Sequence, residues 1–218
     1  MGAGCAMLSQ WQFSCGGKLS SERKAALILG GILLSEGAWL AVNLYFSTPG
    51  FLRYCGFTSS AGLLAWGMAL IVTAFFVYHS ARLPSVRANL LRLDGLKVLA
   101  VGVGIAAGFC EEAVFRKMLM DHFAHLGWTA VAQVAISALA FGAVHAIWGL
   151  FRGNLRAALG AMVATGVLGL LLAVVFVVGM RNLAPCIISH MLINFFAEPG
   201  LVLSALRGEM GRALQHAK

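Results

Sequence analysis

Two adjacent acids, Glu111 and Glu112, interrupt an apolar stretch that runs from Val98 to Met120. Arg116 follows Glu112 by one helical turn. An ionised carboxylate at bilayer depth costs at least about 2.5–3.5 kcal/mol on insertion scales, so acids inside apolar spans mark candidate functional sites. This stretch is therefore the first place where we expect chemistry.

The two acids need not share one role. Glu112 and Arg116 have the i, i+4 spacing of a helical ion pair, with the acid on the favourable N-terminal side. Glu111 points about 100° away from Glu112 around the helix. We therefore predict that Glu112 neutralises Arg116 and holds the helix, whereas Glu111 takes part in a reaction.

A histidine on the next apolar span lies at the depth of Glu111. The third and fourth spans form a hairpin that turns near Gly127, between Glu111 and His145. At 1.5 Å per residue, both side chains lie about 24–27 Å from the turn and can face each other. A carboxylate beside an imidazole is suited to activating water as a nucleophile. Phe141 precedes His145 by four residues, which predicts an aromatic ring packed one turn away.

A second polar pair lies on the last apolar span, in the segment ISHMLINFF. His190 and Asn194 are spaced i, i+4, so an imidazole and an amide share one helical face. Hydrogen-bond donors aimed at a developing oxyanion contribute much of the catalysis in acyl transfer. The alternative is that such residues only join neighbouring membrane helices.

Two further features stay open at this stage. Glu36 is an isolated acid in the first span, where it faces a cavity or lies near an interface. The five cysteines form no close CxxC pair and no metal-type spacing. Cys110 neighbours Glu111, but no base is suggested for it.

The composition identifies the elements that must position these residues. The chain has 218 residues, 60% of them hydrophobic and 11% charged, with a mean hydropathy of +0.86. Soluble domains carry about 25% charged residues, so we predict an integral membrane protein. A span needs about 20 apolar residues, which leaves room for roughly six. The predicted fold class is all-α, a polytopic membrane bundle of about six transmembrane helices.

The apolar runs place these spans at 25–46, 61–79, 97–120, 128–149, 156–180 and 183–204. Residues 1–24 are predicted to be a cytoplasmic N-terminal segment and residues 205–218 a cytoplasmic tail, so the membrane domain is 25–204 and holds motifs at 111–194. The 47–60 segment reads as a turn-rich loop. The basic 80–96 segment predicts a short interfacial helix.

The net charge of +8 does not indicate a nucleic-acid partner, because the basic residues lie mainly in gaps between apolar runs. Twelve fall on one predicted side of the membrane and four on the other. The larger set is Lys18, Arg23, Lys24, Arg82, Arg87, Arg92, Lys97, Arg152, Arg156, Arg207, Arg212 and Lys218. The smaller set is Arg53, Arg116, Lys117 and Arg181. With six spans, this bias predicts that both termini are cytoplasmic.

Three motifs together resemble the CAAX protease and bacteriocin-processing family, the CPBP or Abi family of intramembrane glutamic endopeptidases. They are EEAVFR at 111–116, FGAVH at 141–145 and HMLIN at 190–194. The family pattern is a Glu pair and an Arg separated by three residues, then Phe-x-x-x-His, then His-x-x-x-Asn. The resemblance covers about residues 111–194.

The resemblance implies specific roles. Glu111 would activate water with His145 beside it, Glu112 and Arg116 would form a structural pair, and His190 with Asn194 would stabilise the oxyanion. It also implies an endopeptidase without a cofactor that cuts a membrane-associated protein or peptide near a terminus or leader. The short chain favours a bacterial cytoplasmic membrane as its location.

Two alternatives stay open. Glu111, His145 and His190 could supply one carboxylate and two imidazoles to Zn, leaving an open position for water, although no HExxH motif is present. The chain could also be a non-proteolytic scaffold or a transporter, since transporters place polar groups at mid-membrane. The sequence has no duplicated pair of broken helices to favour a transporter.

Overall fold

The protein is a helical bundle in the computed structural model, which describes residues 19–150 and 155–210. Five stretches of helix are long and apolar enough to cross a membrane, and a sixth apolar helix is shorter. The predicted all-α polytopic bundle is confirmed. The helices are α1 Ser21–Tyr54, α2 Gly62–Ser80, α3 Pro84–Asn89, α4 Gly95–Glu112, α5 Leu119–His125, α6 Ala130–His145, α7 Ile147–Leu150, α8 Leu155–Val178 and α9 Ala184–Arg207, with a π-helical segment, Ala113–Met118, joining α4 to α5.

Helix α9 lies at the centre of the bundle. In its apolar stretch 61% of the residues are buried inside the protein, against 11% in α1. It packs against α1, α2, α3, α4 and α8. Side chains on α9 are therefore surrounded by protein, so a polar group there must find its partners on neighbouring helices.

Glycines set how closely α4 approaches α9. A Cβ on Gly108 would lie 2.7 Å from Met191 Cγ and 3.3 Å from the Ile187 carbonyl oxygen. Small residues allow such close backbone contact between helices in lipid, where packing drives association. The contact brings the end of α4, which carries Glu111, against the turn of α9 that carries His190.

Helix α1 is longer than its predicted span of 25–46, and the predicted loop at 47–60 is wrong over its first half. The chain stays helical to Tyr54 and changes direction at Ser47, whose backbone is extended (φ −164°, ψ 83°). Pro49 cannot continue the hydrogen bonding of the first part. The Ser47 hydroxyl accepts a hydrogen bond from the Gly50 N–H (3.2 Å), so it caps a second helical part.

The predicted fourth span, 128–149, is divided in two. Helix α6 ends at His145, and the Ala146 N–H bonds the Ala143 carbonyl, three residues back. Such tightening is common at helix ends. The chain continues as α7, where Gly149 packs directly on the backbone of Ala158 in α8. The division places His145 at a helix end inside the bundle.

A buried lysine compensates for a proline in α9. Pro199 has no N–H, so the carbonyl of Phe195 loses its helical donor. The Lys97 ammonium from α4 donates to that carbonyl at 2.7 Å and to the Phe196 carbonyl at 3.4 Å. Lys97 is only 2% exposed. Its charge is therefore used to repair the backbone of the central helix.

Lys97→Met is expected to destabilise the protein, because it leaves the Phe195 carbonyl buried without a donor, which costs about 1–3 kcal/mol. Adding Pro199→Ala restores a backbone N–H for that carbonyl and is expected to recover part of the loss. Thermal unfolding in detergent measures both variants. Equal stability of Lys97→Met and the unchanged protein would contradict this assignment.

The predicted short helix in 80–96 is present as α3, held against the end of α9. The Ser85 N–H and hydroxyl donate to the Glu209 carboxylate at 3.0 and 2.7 Å, and the Ser204 hydroxyl donates at 2.9 Å. Burial alone would raise the pKa of Glu209, but these hydrogen bonds and nearby Arg207 lower it below its ordinary value of 4.5.

Acid is expected to loosen α3. Because the folded-state pKa of Glu209 is lowered, its contribution is complete above the unfolded value of 4.5 and is lost as the pH falls through the folded value. The protection factors of the backbone amides of residues 85–89, corrected for the slower intrinsic exchange in acid, should fall at acidic pH. Glu209→Gln should show the faster exchange already at neutral pH. Unchanged protection in that variant would contradict the role of the carboxylate.

Candidate active site

One cavity of about 480 Å³ lies among α1, α2, α4, α6, α8 and α9. Its outer part is lined by Ser80, Leu83 and Met210, beside the basic segments between spans. All four residues predicted to take part in the reaction line it. The ionisable and amide side chains that line its inner part are Glu36, Glu111, His145, His190, Asn194 and Glu198.

The Glu111 carboxylate lies between two imidazoles. Its Oε2 is 3.7 Å from His145 Nε2 and 3.9 Å from His190 Nε2. The same oxygen is buried and has no hydrogen-bond partner within the described residues. These separations exceed hydrogen-bond length, and catalytic contacts are often long before a substrate binds. The predicted meeting of Glu111 and His145 is present.

His145 is oriented by its own helix. Its Nδ1 lies 2.8 Å from the Phe141 carbonyl oxygen. A carbonyl only accepts, so Nδ1 carries the proton and Nε2 faces Glu111. The Phe141 ring packs on the imidazole with centroids 4.4 Å apart, as the i, i+4 spacing predicts. The ring nitrogen that faces the cavity is therefore fixed.

Glu112 does more than neutralise Arg116. The predicted ion pair is present, with Arg116 Nε 3.0 Å from Glu112 Oε2 and both side chains fully buried. The other carboxylate oxygen, Oε1, is 2.7 Å from His190 Nδ1. Glu112 thus joins Arg116 to His190, a contact between helices that spacing along one helix does not indicate.

The π-helical segment Ala113–Met118 carries Arg116 inward. Its guanidinium lies over the Phe141 ring at 4.5 Å and reaches the Gly169 carbonyl of α8 at 3.5 Å. The Ser137 hydroxyl donates to the Phe115 carbonyl at 2.9 Å, which ties this segment to α6. Such π turns inside α-helices are frequent at functional sites.

His190 presents one nitrogen to Glu112 and the other to the cavity. A carboxylate accepts, so Nδ1 carries a proton, and Nε2 also donates when the ring is protonated. Asn194 lies one turn further along α9, lines the same cavity and is 9% exposed. The two side chains therefore lie on the face that was predicted for them.

Two acids join this site beyond the predicted set. Glu198 lies one turn after Asn194 and lines the cavity, and Glu36 of α1 faces it. Both interact electrostatically with Glu111 and His190. The i, i+4, i+8 spacing of His190, Asn194 and Glu198 was a usable signal for Glu198, whereas the position of Glu36 depends on how α1 packs.

Metal ligation was a further possibility for Glu111, His145 and His190. Within residues 19–150 and 155–210, no three His, Cys, Asp or Glu side chains are arranged to hold a metal ion.

The fold and the site together define a class: a polytopic membrane protein with a carboxylate and two imidazoles converging in an intramembrane cavity. Residues 94–196 match the family model described as Rce1-like, type II CAAX prenyl endopeptidase. The match confirms the resemblance recognised from the three motifs: residues 94–196 are similar to CAAX-type membrane endopeptidases of the CAAX protease and bacteriocin-processing family. No curated protein and no solved structure matches the chain.

Proposed function

We propose that the protein is an intramembrane endopeptidase in which Glu111 activates the attacking water. One observation carries the proposal: the Glu111 carboxylate lies between two imidazole nitrogens, at 3.7 and 3.9 Å, and pairs with no Lys or Arg among the described residues. The neighbouring Glu112 is already engaged by Arg116 and His190. Glu111 is thus the acid that is available to take a proton.

The steps follow from this arrangement. Glu111 takes a proton from water, and the resulting hydroxide adds to the carbonyl carbon of the scissile bond. The carbonyl oxygen becomes an oxyanion, which accepts hydrogen bonds from His190 Nε2–H and the Asn194 amide. The tetrahedral intermediate then breaks its C–N bond while the proton on Glu111 passes to the leaving nitrogen. His145 Nε2 holds the water or the protonated Glu111 during these transfers.

The pair of Glu112 and Arg116 supports the oxyanion group. The Glu112 carboxylate accepts from His190 Nδ1 at 2.7 Å, so it favours a ring that is protonated on both nitrogens. Only that form can donate from Nε2 to an oxyanion. Arg116 in turn pairs with the Glu112 carboxylate at 3.0 Å and holds it in place. The buried trio thus sets the charge of the residue that faces the substrate.

The substrate reaches this site from the basic end of the bundle. The cavity extends from Glu111 to Ser80, Leu83 and Met210, next to segments rich in Arg and Lys. The positive-inside rule assigns that end to the cytoplasm. We therefore expect a membrane-associated protein or peptide that enters from the cytoplasmic side of a bacterial membrane and is cut near a terminus.

The proposal is tested by comparing cells that carry the unchanged protein with cells that carry Glu111→Gln at matched abundance. Quantitative sequencing of protein termini in membrane and secreted fractions is the readout. We expect defined precursors to accumulate uncut in the variant, and the altered termini to name the substrate. Identical termini in both strains would overturn the proposal and favour a scaffold or transporter.

Metal removal distinguishes the glutamate-based peptidase from the zinc-dependent alternative. Treatment of the purified, detergent-solubilised protein with a zinc chelator is expected to leave cleavage of the identified precursor unchanged, because the nucleophile is generated by Glu111. Loss of cleavage with the chelator, and its return on adding Zn, would instead support the zinc-dependent peptidase.

A further inference from the structure

Three carboxylates line one cavity, in which the basic side chains among the described lining residues are imidazoles. Glu36, Glu111 and Glu198 come from α1, α4 and α9 and act electrostatically on one another. Among the described residues that line the cavity there is no Lys or Arg. The nearest buried guanidinium, Arg116, is held by Glu112. The cavity is therefore an acidic chamber in apolar surroundings.

This chamber holds no Lys or Arg among its described lining residues to balance the three carboxylates. Removing an ionised carboxylate from water is costly unless a counter-charge and hydrogen bonds accompany it. One oxygen of Glu36 is buried without a hydrogen-bond partner in the described part of the chain. Asn194, nine-tenths buried and also facing the cavity, offers polarity but no charge. A cation supplied from outside would complete the set.

Resting on the function proposed above, we propose that Glu198 and Glu36 form a subsite for a positively charged side chain of the substrate peptide. Lys and Arg fit this site because their long apolar stems suit its walls while their charged ends meet the carboxylates. In this arrangement the two acids select the substrate side chain, and Glu111 carries out the reaction.

The register of α9 indicates where that side chain lies. Glu198 is two turns from His190 toward the Arg207 end, which is about 12 Å along the helix. An extended peptide covers that distance with three or four residues, at about 3.3–3.6 Å each. A basic residue three or four positions from the scissile bond would therefore lie beside Glu198 when the bond lies beside Glu111.

The test uses the full-length protein in detergent micelles and a library of membrane-protein peptides cut after Glu, so that Lys and Arg lie inside them. Mass spectrometry of the new termini gives the residues that flank each cleavage. We expect the unchanged protein to favour sites with a Lys or Arg three or four residues away. Glu198→Gln should lower cleavage of these basic peptides, relative to neutral ones, about tenfold, and Glu36→Gln should act in the same direction.

Controls separate this inference from the proposed function. Glu22→Gln, an exposed residue at the start of α1, should keep the preference for basic peptides. Cleavage by the unchanged protein with no basic preference, or with a preference that Glu198→Gln retains, would overturn the subsite while leaving the peptidase intact. If Glu111→Gln cuts as well as the unchanged protein, the proposed function fails, and the subsite fails with it.

Discussion

Glu111→Gln is expected to lower peptide-bond cleavage by about 10²–10⁴-fold, the usual contribution of a positioned general acid–base group. Gln keeps the size of the side chain but cannot take a proton from water. Because Glu111 pairs with no Lys or Arg in the part of the chain that the structure describes, the variant should reach the membrane in normal amount. Initial rates on the precursor identified in cells, at matched protein concentration, give the measurement.

Two further variants serve as controls for that result, one expected to lose cleavage and one expected to keep it. His145→Ala should also lose most cleavage, because the nitrogen 3.7 Å from Glu111 is removed. Glu22→Gln removes a carboxylate outside the cavity and should cut at the normal rate. Cleavage by Glu111→Gln within a few-fold of the unchanged protein would show that another group activates the water.

Glu112→Ala is expected to reduce stability by about 3–5 kcal/mol, the usual effect of leaving one partner of a buried ion pair alone. Arg116 is fully buried, and its Nε contacts Glu112 at 3.0 Å. The unpaired guanidinium would be left at membrane depth. Low abundance in membranes and a lower unfolding temperature in detergent measure the effect.

The double variant Glu112→Ala with Arg116→Met separates stability from catalysis. Removing both charges should restore much of the abundance, because no unpaired cation remains. Cleavage should stay low, because His190 Nδ1 has lost the carboxylate that favours its protonated form. Recovery of full activity along with abundance would show that Glu112 serves the fold alone.

Contacts within one helix or one hairpin could be predicted from the sequence. The Glu112–Arg116 pair and the Phe141–His145 contact both follow from a spacing of four residues, because neighbours on a helix face are fixed by its period. Glu111 meets His145 because the hairpin turn gives both the same depth.

Contacts between distant helices could not be predicted in the same way. The bond from Glu112 to His190 depends on the register of α4 against α9, which close packing at Gly108 sets. The continuation of α1 past Ser47 was missed because Pro49 reads as a loop signal, although it also suits the first turn of a new helical part. The position of Glu36 at the cavity depends both on the register between helices and on the course of α1, so the sequence left it open.

The bond between Lys97 and the carbonyl freed by Pro199 also has a mechanical meaning. A backbone N–H is fixed in direction, whereas an ammonium is a point charge on a flexible four-carbon stem. At this level α9 is held by a partner that can follow a small bend without losing its hydrogen bond. The central helix therefore has a compliant joint beside Glu198, while the turn that carries His190 is braced by Glu112.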